Sequence, residues 1–126
     1  MKQDKIEKRM KESLICEFYG KMRNKQRYEM MRLFYDEDLT LQEIADLRGI
    51  TRQAVHSSIQ RSNEKLAGYE SVLGLVSRFR NIKRQVFDID SKIAILIKEN
   101  EDDRALTERL SGLRKELLEI EKQQRN

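Results

Sequence analysis

Apolar residues recur every three or four positions along almost the whole chain, and no proline interrupts them. Proline and glycine are the strongest punctuation a sequence carries, and here 126 residues hold no proline and only five glycines. Such a chain has little with which to make the frequent tight turns of a strand-rich fold. Its periodicity therefore predicts an all-α protein built from long helices.

The last third carries the clearest rhythm. Phe79, Ile82, Val86, Ile89, Ile93 and Leu96 follow one another at spacings of 3, 4, 3, 4 and 3. Leu106, Leu110, Leu113, Leu117 and Ile120 repeat it at 4, 3, 4 and 3. These are heptad seams, and the polar stretch Glu99-Asn100-Glu101-Asp102-Asp103 puts them out of phase. Helices over 76–98 and 103–124 would each be roughly 33–35 Å long. Two such helices joined by a short polar turn predict an antiparallel hairpin. Phe87, Ala94, Ile97 and Leu118 widen the apolar face beyond a two-helix seam, so a further surface must cover it. Either the first domain or a second copy of the chain would serve, and a homodimer is the expectation.

Residues 1–74 read differently. Ile6, Met10, Leu14 and Phe18, with Ile15 and Tyr19 beside them, predict an amphipathic helix ending at Gly20 as a C-terminal stop. Asn24 is a good N-cap for a second helix that runs to Tyr35 and ends at Asp36-Glu37-Asp38. In the segment LTLQEIADLRGITRQAV, Thr40 and Glu43 have the spacing of a capping box. They open a short helix over 41–47. Gly49 can take the positive φ of a tight reversal, and Thr51 is the N-cap of a long helix striped by Val55, Ile59, Leu66, Tyr69 and Leu73. A short helix, a three-residue turn and a long helix make a helix-turn-helix. With Leu41 as position one, the motif wants a small residue at five, glycine at nine and apolar residues at ten and fifteen. Ala45, Gly49, Ile50 and Val55 meet these demands, while the late apolar position falls on Ile59, one residue from the commonest register.

In such a motif the second helix enters the DNA major groove. Its polar face here offers Arg52, Gln53, His56, Ser57, Gln60 and Arg61. Arginine suits guanine and glutamine suits adenine through paired hydrogen bonds. Lys21, Arg23, Lys25, Arg27 and Arg32, with only Glu29 among them, suit backbone phosphates. The competing reading makes all of these solvated helix faces. Charge gives it some weight, because residues 1–74 hold 14 basic and 12 acidic side chains. The remainder holds 12 and 10, so the net +4 is shared equally between the halves. Asp36, Glu37, Asp38, Glu43 and Asp46 would repel phosphate if they lay near it. Arg78, Arg80, Lys83 and Arg84 form a second basic cluster, read as a solvated hairpin face.

Other chemistry is poorly supplied. With one cysteine and one histidine, the chain offers neither a disulfide framework nor a zinc site drawing on those residues. Cys16 falls on or beside the apolar face of the first helix and reads as a small buried hydrophobe. No apolar run approaches bilayer length, and no signal-peptide core follows the charged start, so an intracellular soluble protein is expected. No cofactor and no catalysis are expected.

The combination Phe18-Tyr19-Gly20, Lys25-Gln26-Arg27, Tyr35, Asp38-Leu39-Thr40-Leu41, Glu43-Ile44-Ala45 and Thr51-Arg52-Gln53-Ala54-Val55, then Ile59 and Arg61, resembles the YlxM family of small bacterial proteins. Their helix-turn-helix is similar to region four of sigma factors. The likeness runs through Tyr69-Glu70 to Leu73, roughly the first 60% of the chain. It implies an all-helical cytoplasmic bacterial protein with a regulatory, non-enzymatic role. Because genes of this family commonly neighbour those of the signal recognition particle's GTPases, it also implies work in that pathway. The partner would be DNA or RNA, or alternatively a protein component of the particle, with the helix-turn-helix kept as scaffold. Two positions depart from the pattern. Asn24 stands for the more usual threonine cap, and His56 stands where an aromatic is common, which changes any contact made there.

Overall fold

A computed structural model describes residues 2–124, and these form helices joined by short turns. The order is α1 (Lys2–Tyr19), a single 3-10 turn (Gly20–Met22), α2 (Lys25–Tyr35), α3 (Leu41–Arg48), α4 (Arg52–Leu73), α5 (Leu75–Glu99) and α6 (Arg104–Gln123). The chain divides into two compact units, residues 1–76 and 77–126.

Side chains that satisfy the free backbone N–H groups at helix starts set most of these boundaries. Asn24 accepts from the Arg27 N–H, and Thr51 accepts from the Ala54 N–H at 3.0 Å. Thr40 and Glu43 make a reciprocal capping box, with bonds of 3.1 and 2.9 Å. Asp103 caps α6 through the Leu106 N–H. Two glycines end helices in the left-handed conformation, Gly49 after α3 at φ 67° and Gly74 after α4 at φ 63°.

Gly20 works otherwise. It is not among the glycines with positive φ, so it does not act as a left-handed stop. A Cβ there would lie 2.8 Å from the Tyr28 ring and 3.3 Å from Cys16 Sγ. Close approach of α2 to the end of α1 is what the glycine allows.

Two apolar clusters hold the first unit together. Ile15, Cys16, Tyr19, Met31, Leu66 and Val76 form one, with Leu14, Phe18, Tyr28 and Tyr69 against it. Ile44, Ala45, Val55 and Ile59 form the other, with Met30, Leu33, Phe34, Leu39 and Leu41 against it. Tyr35 packs on both. Ala45 is buried where α3 meets α4, as a small residue at a close crossing should be. The apolar stripes are shorter than the sequence suggests. Ile6 and Met10 are more than half exposed because only the C-terminal half of α1 carries core residues. Ile50 in the turn and Leu73 at the end of α4 are 41% and 45% exposed, and Ser62 takes a core position instead. Val76 belongs to the first cluster, two residues beyond the expected boundary at Gly74.

Polar links tie this unit across long sequence distances. Arg9 donates to the Phe34 carbonyl at 2.8 Å and to Asp38 at 3.1 Å, while its guanidinium lies 4.4 Å from the Phe34 ring centre. The Tyr19 hydroxyl donates to Glu70 at 2.6 Å and accepts from the Leu75 N–H. Glu70 also accepts from the Val76 N–H, so these two side chains receive the first free donors of α5.

In the second unit Phe79, Val86 and Ile93 are buried, every seventh residue of α5. Arg114 forks onto Asp90 at 2.7 and 3.0 Å and holds that carboxyl below the usual carboxylate range. One unbroken helix would set residues 24 apart roughly 36 Å from each other, so the chain doubles back between them. Ile89, Leu96, Leu113 and Ile120, read as seam residues, are nearly half exposed. Phe87, Ile95 and Leu118 are more exposed still, at 69%, 57% and 52%.

Cys16 is 3% exposed within the first cluster. Burial, with Asp36 adding to it, pushes its thiol up to about 11 from 9.0. That rise leaves about a hundredth of the thiolate that an unperturbed cysteine would hold at the same pH. A thiol-reactive dye at pH 8 is therefore expected to label the folded chain at least about a hundredfold more slowly than the urea-unfolded chain. Equal rates would show that the cysteine is not packed as described.

Candidate nucleic-acid interface

The chain from Thr40 to Leu73 places the predicted motif on α3 and α4. Buried Val55, Ile59, Ser62 and Leu66 fix which side of α4 faces inward. At about 100° per residue, the opposite side is centred on Gln53, Ser57, Gln60 and Arg61, and exposed Glu64 continues the same line one turn further on. Gln53, Gln60 and Arg61 are exposed and Ser57 is half-buried. Gln53 Nε2 donates to Ser57 Oγ at 3.4 Å. These four of the six predicted residues form one contiguous strip.

The other two sit elsewhere on the helix. His56 is about a quarter turn to the side, and Arg52 lies further round. Arg52 is exposed because it occupies the first turn. His56 and Gln60 border a cavity of about 480 Å3 that Lys8, Glu12, Tyr35, Asn63 and Glu64 also line. In its wall the Tyr35 hydroxyl donates to Glu12 at 3.3 Å and accepts from Asn63 at 2.8 Å. Burial above all raises the Tyr35 phenol well beyond its ordinary value. Two carboxylates against the single cation of Lys8 make this flank a poorer neighbour for phosphate. On the opposite flank Arg27, Ala54, Ser57, Ser58 and Arg61 line a smaller cleft of about 280 Å3.

The basic run before the motif does not act as a block. Arg23 Nε donates to Ser62 Oγ at 3.1 Å, and half-buried Arg32 pairs with Glu37 at 3.9 Å. Lys21, Lys25 and Arg27 stay exposed. Several of the acidic residues are also engaged. Glu43 belongs to the capping box, Asp46 accepts from Gln42, and Asp38 pairs with Arg9. In the second basic cluster Lys83 lies 5.9 Å from the Phe79 ring centre and Arg84 donates to Asn81.

The helix-turn-helix is legible in the sequence, whereas the residues that α1 and α2 bring to α4 are not. Glu12, Tyr35 and Asn63 meet although 51 residues separate the first from the last, and no local spacing marks them. Among the described residues, no three His, Cys, Asp or Glu side chains are grouped to hold a metal ion. No described helix is long and apolar enough to cross a membrane.

Known proteins match the chain over both units. A UPF0122 protein of Clostridium acetobutylicum is 37% identical over 91 residues, 72% of this chain and 78% of that protein. One of Symbiobacterium thermophilum is 37% identical over 81 residues, 64% of this chain and 76% of its own length. One of Thermoanaerobacter sp. is 31% identical over 108 residues, covering 86% and 92% respectively. No solved structure matches. The UPF0122 family model, described as "Putative helix-turn-helix protein, YlxM / p13 like", matches residues 6–109. That span reaches past α5 into α6, well beyond the likeness read from the motif alone. With the helix-turn-helix in place and 104 consecutive residues within the family pattern, this chain belongs to the UPF0122, or YlxM-like, family.

Proposed function

We propose that this protein is a nucleic-acid-binding regulator that lays the outward strip of α4 in the major groove of duplex DNA. The observation that carries the reading is the contiguous strip of Gln53, Ser57, Gln60 and Arg61 on a doubly capped helix-turn-helix. An α-helix with side chains is about 10–12 Å across, the width of the major groove. The paired donors and acceptors of the two glutamines suit adenine, and Arg61 suits guanine or phosphate. Arg52 and His56 would contact DNA only from the side of the helix. We place the protein in the cytoplasm, without a catalytic role or a cofactor, acting in the signal recognition particle pathway that the family resemblance implies.

The second unit supplies dimerisation in this reading. Phe87, Ile89, Ile95, Leu113 and Leu118 are exposed apolar side chains of α5 and α6, and a second copy would cover those on the shared face. Light scattering on the full chain is expected to give twice the monomer mass. A single-chain mass would remove the dimer from the account.

Fluorescence anisotropy with labelled duplex DNA, and with the RNA of the signal recognition particle, tests the central function at two salt concentrations. Saturable binding to duplex DNA that weakens steeply with salt is expected. If neither nucleic acid binds at low salt, the reading fails. The even charge balance between the halves favours a second reading, a scaffold that binds a protein of the particle. Capture of the particle's GTPase that survives nuclease treatment would support that one.

A further inference from the structure

The small cleft beside the reading strip has the composition of an anion site. Arg27 on α2 and Arg61 on α4 line it together with Ala54, Ser57 and Ser58. Among the described residues, no carboxylate lines it. Neither arginine makes an ion pair among the described residues, whereas Arg9, Arg32, Arg104 and Arg114 each have a carboxylate partner. Ser57 Oγ already accepts from Gln53, which leaves its O–H to donate outward. Two like charges beside one cleft repel each other, and an anion between them adds two attractions that outweigh that repulsion.

The position of the cleft says which anion. A helix seated in the major groove nearly fills it, so the flanks of the helix face the sugar-phosphate walls while its outward strip faces base edges. Ala54, Ser58 and Arg61 form one flank of α4, and Ser57 and Arg61 are shared with the strip. The other flank carries His56 beside the cavity that Glu12 and Lys8 line, with Glu64 between this flank and the outward strip. Of the two flanks, the one lined by two arginines and no carboxylate suits phosphate better. The geometry points to a phosphodiester clamp in which Arg27 and Arg61 fork onto the non-bridging oxygens of a backbone phosphate while Ser57 and Ser58 donate to it. The clamp rests on the major-groove reading above. It adds that α2 takes part in the contact through Arg27, and that α4 grips one strand of the duplex harder than the other.

Salt titrations of the full chain on labelled duplex DNA test it. Arg27 is exposed, so Arg27→Gln is expected to leave the thermal midpoint unchanged. It should weaken binding roughly tenfold on every duplex tried, as the loss of a charged hydrogen bond does. The slope of log affinity against log salt should shrink by about 0.9. Arg27→Lys keeps the charge and should keep the slope. Gln53→Ala should change the ranking of duplexes and leave the slope alone. If Arg27→Gln binds with wild-type affinity and slope while Gln53→Ala or Arg61→Gln impairs binding, the clamp is wrong and the groove reading stands. If the wild-type chain binds no duplex at low salt, both are wrong.

Discussion

Replacing Leu66 with alanine should lower the unfolding free energy of the first unit by about 2–5 kcal/mol. Leu66 is fully buried on α4. It shares its cluster with Ile15, Cys16 and Tyr19 of α1, Met31 of α2 and Val76 at the start of α5. Truncation removes three side-chain carbons from a site walled by four helices. Those helices are pinned elsewhere by caps and by the Arg9 and Tyr19 bonds, so the wall cannot collapse freely into the gap. The cost should therefore be a transfer term together with a cavity term. Urea denaturation followed by far-ultraviolet circular dichroism measures it. Val72→Ala, at a position 82% exposed on the same helix, is the control and should change stability by less than about 0.5 kcal/mol. Equal effects at the two positions would mean that the described core is not what stabilises this unit.

Glu70→Ala should cost about 2–3 kcal/mol, more than its half-exposed position suggests. The carboxylate accepts from the Tyr19 hydroxyl at 2.6 Å and from the Val76 N–H at 3.0 Å. Tyr19 is 1% exposed and Val76 is 2% exposed, so water does not readily replace the lost acceptor. The Tyr19 oxygen in turn accepts from the Leu75 N–H, and the loss would loosen a chain of bonds that starts α5 beyond Gly74. Tyr19→Phe removes the matching donor, and the double variant should cost less than the sum of the two single changes. Strict additivity in that cycle would show that the two side chains do not act together. Protection of the Leu75 and Val76 amides from hydrogen exchange should fall in both single variants.

What was legible in the sequence was mostly local. Asn24, Thr40 and Thr51 can be read as caps because their partners lie three residues away. Gly49 can be read as a reversal because its demand is on its own φ. Gly20 looks like the same kind of stop, but its requirement comes from the Tyr28 ring on another helix. Ile6, Met10 and Ile50 fit the apolar pattern and remain exposed, because periodicity shows which face a residue is on and not how far the neighbouring helix extends. The heptads of α5 show the same limit, with Val86 and Ile93 buried and Ile89 and Leu96 outside.

The candidate site divides along similar lines. The polar residues of α4 were visible as a set, but only the buried stripe of Val55, Ile59, Ser62 and Leu66 tells which of them face outward. Arg27 was visible as one member of a basic run. Its meeting with Arg61 across 34 residues depends on how α2 packs against α4. Arg23 and Arg32, from the same run, are turned toward Ser62 and Glu37.

The central claim is that α4 presents this strip to duplex DNA. Backbone amide resonances of the full chain, followed as unlabelled duplex DNA is added at low salt, test it most directly. The largest shifts are expected to cluster at Gln53, Ser57, Gln60 and Arg61, with Arg27 joining them and residues of α6 staying still. Saturable shifts confined to α5 and α6, with α4 unmoved, would contradict it.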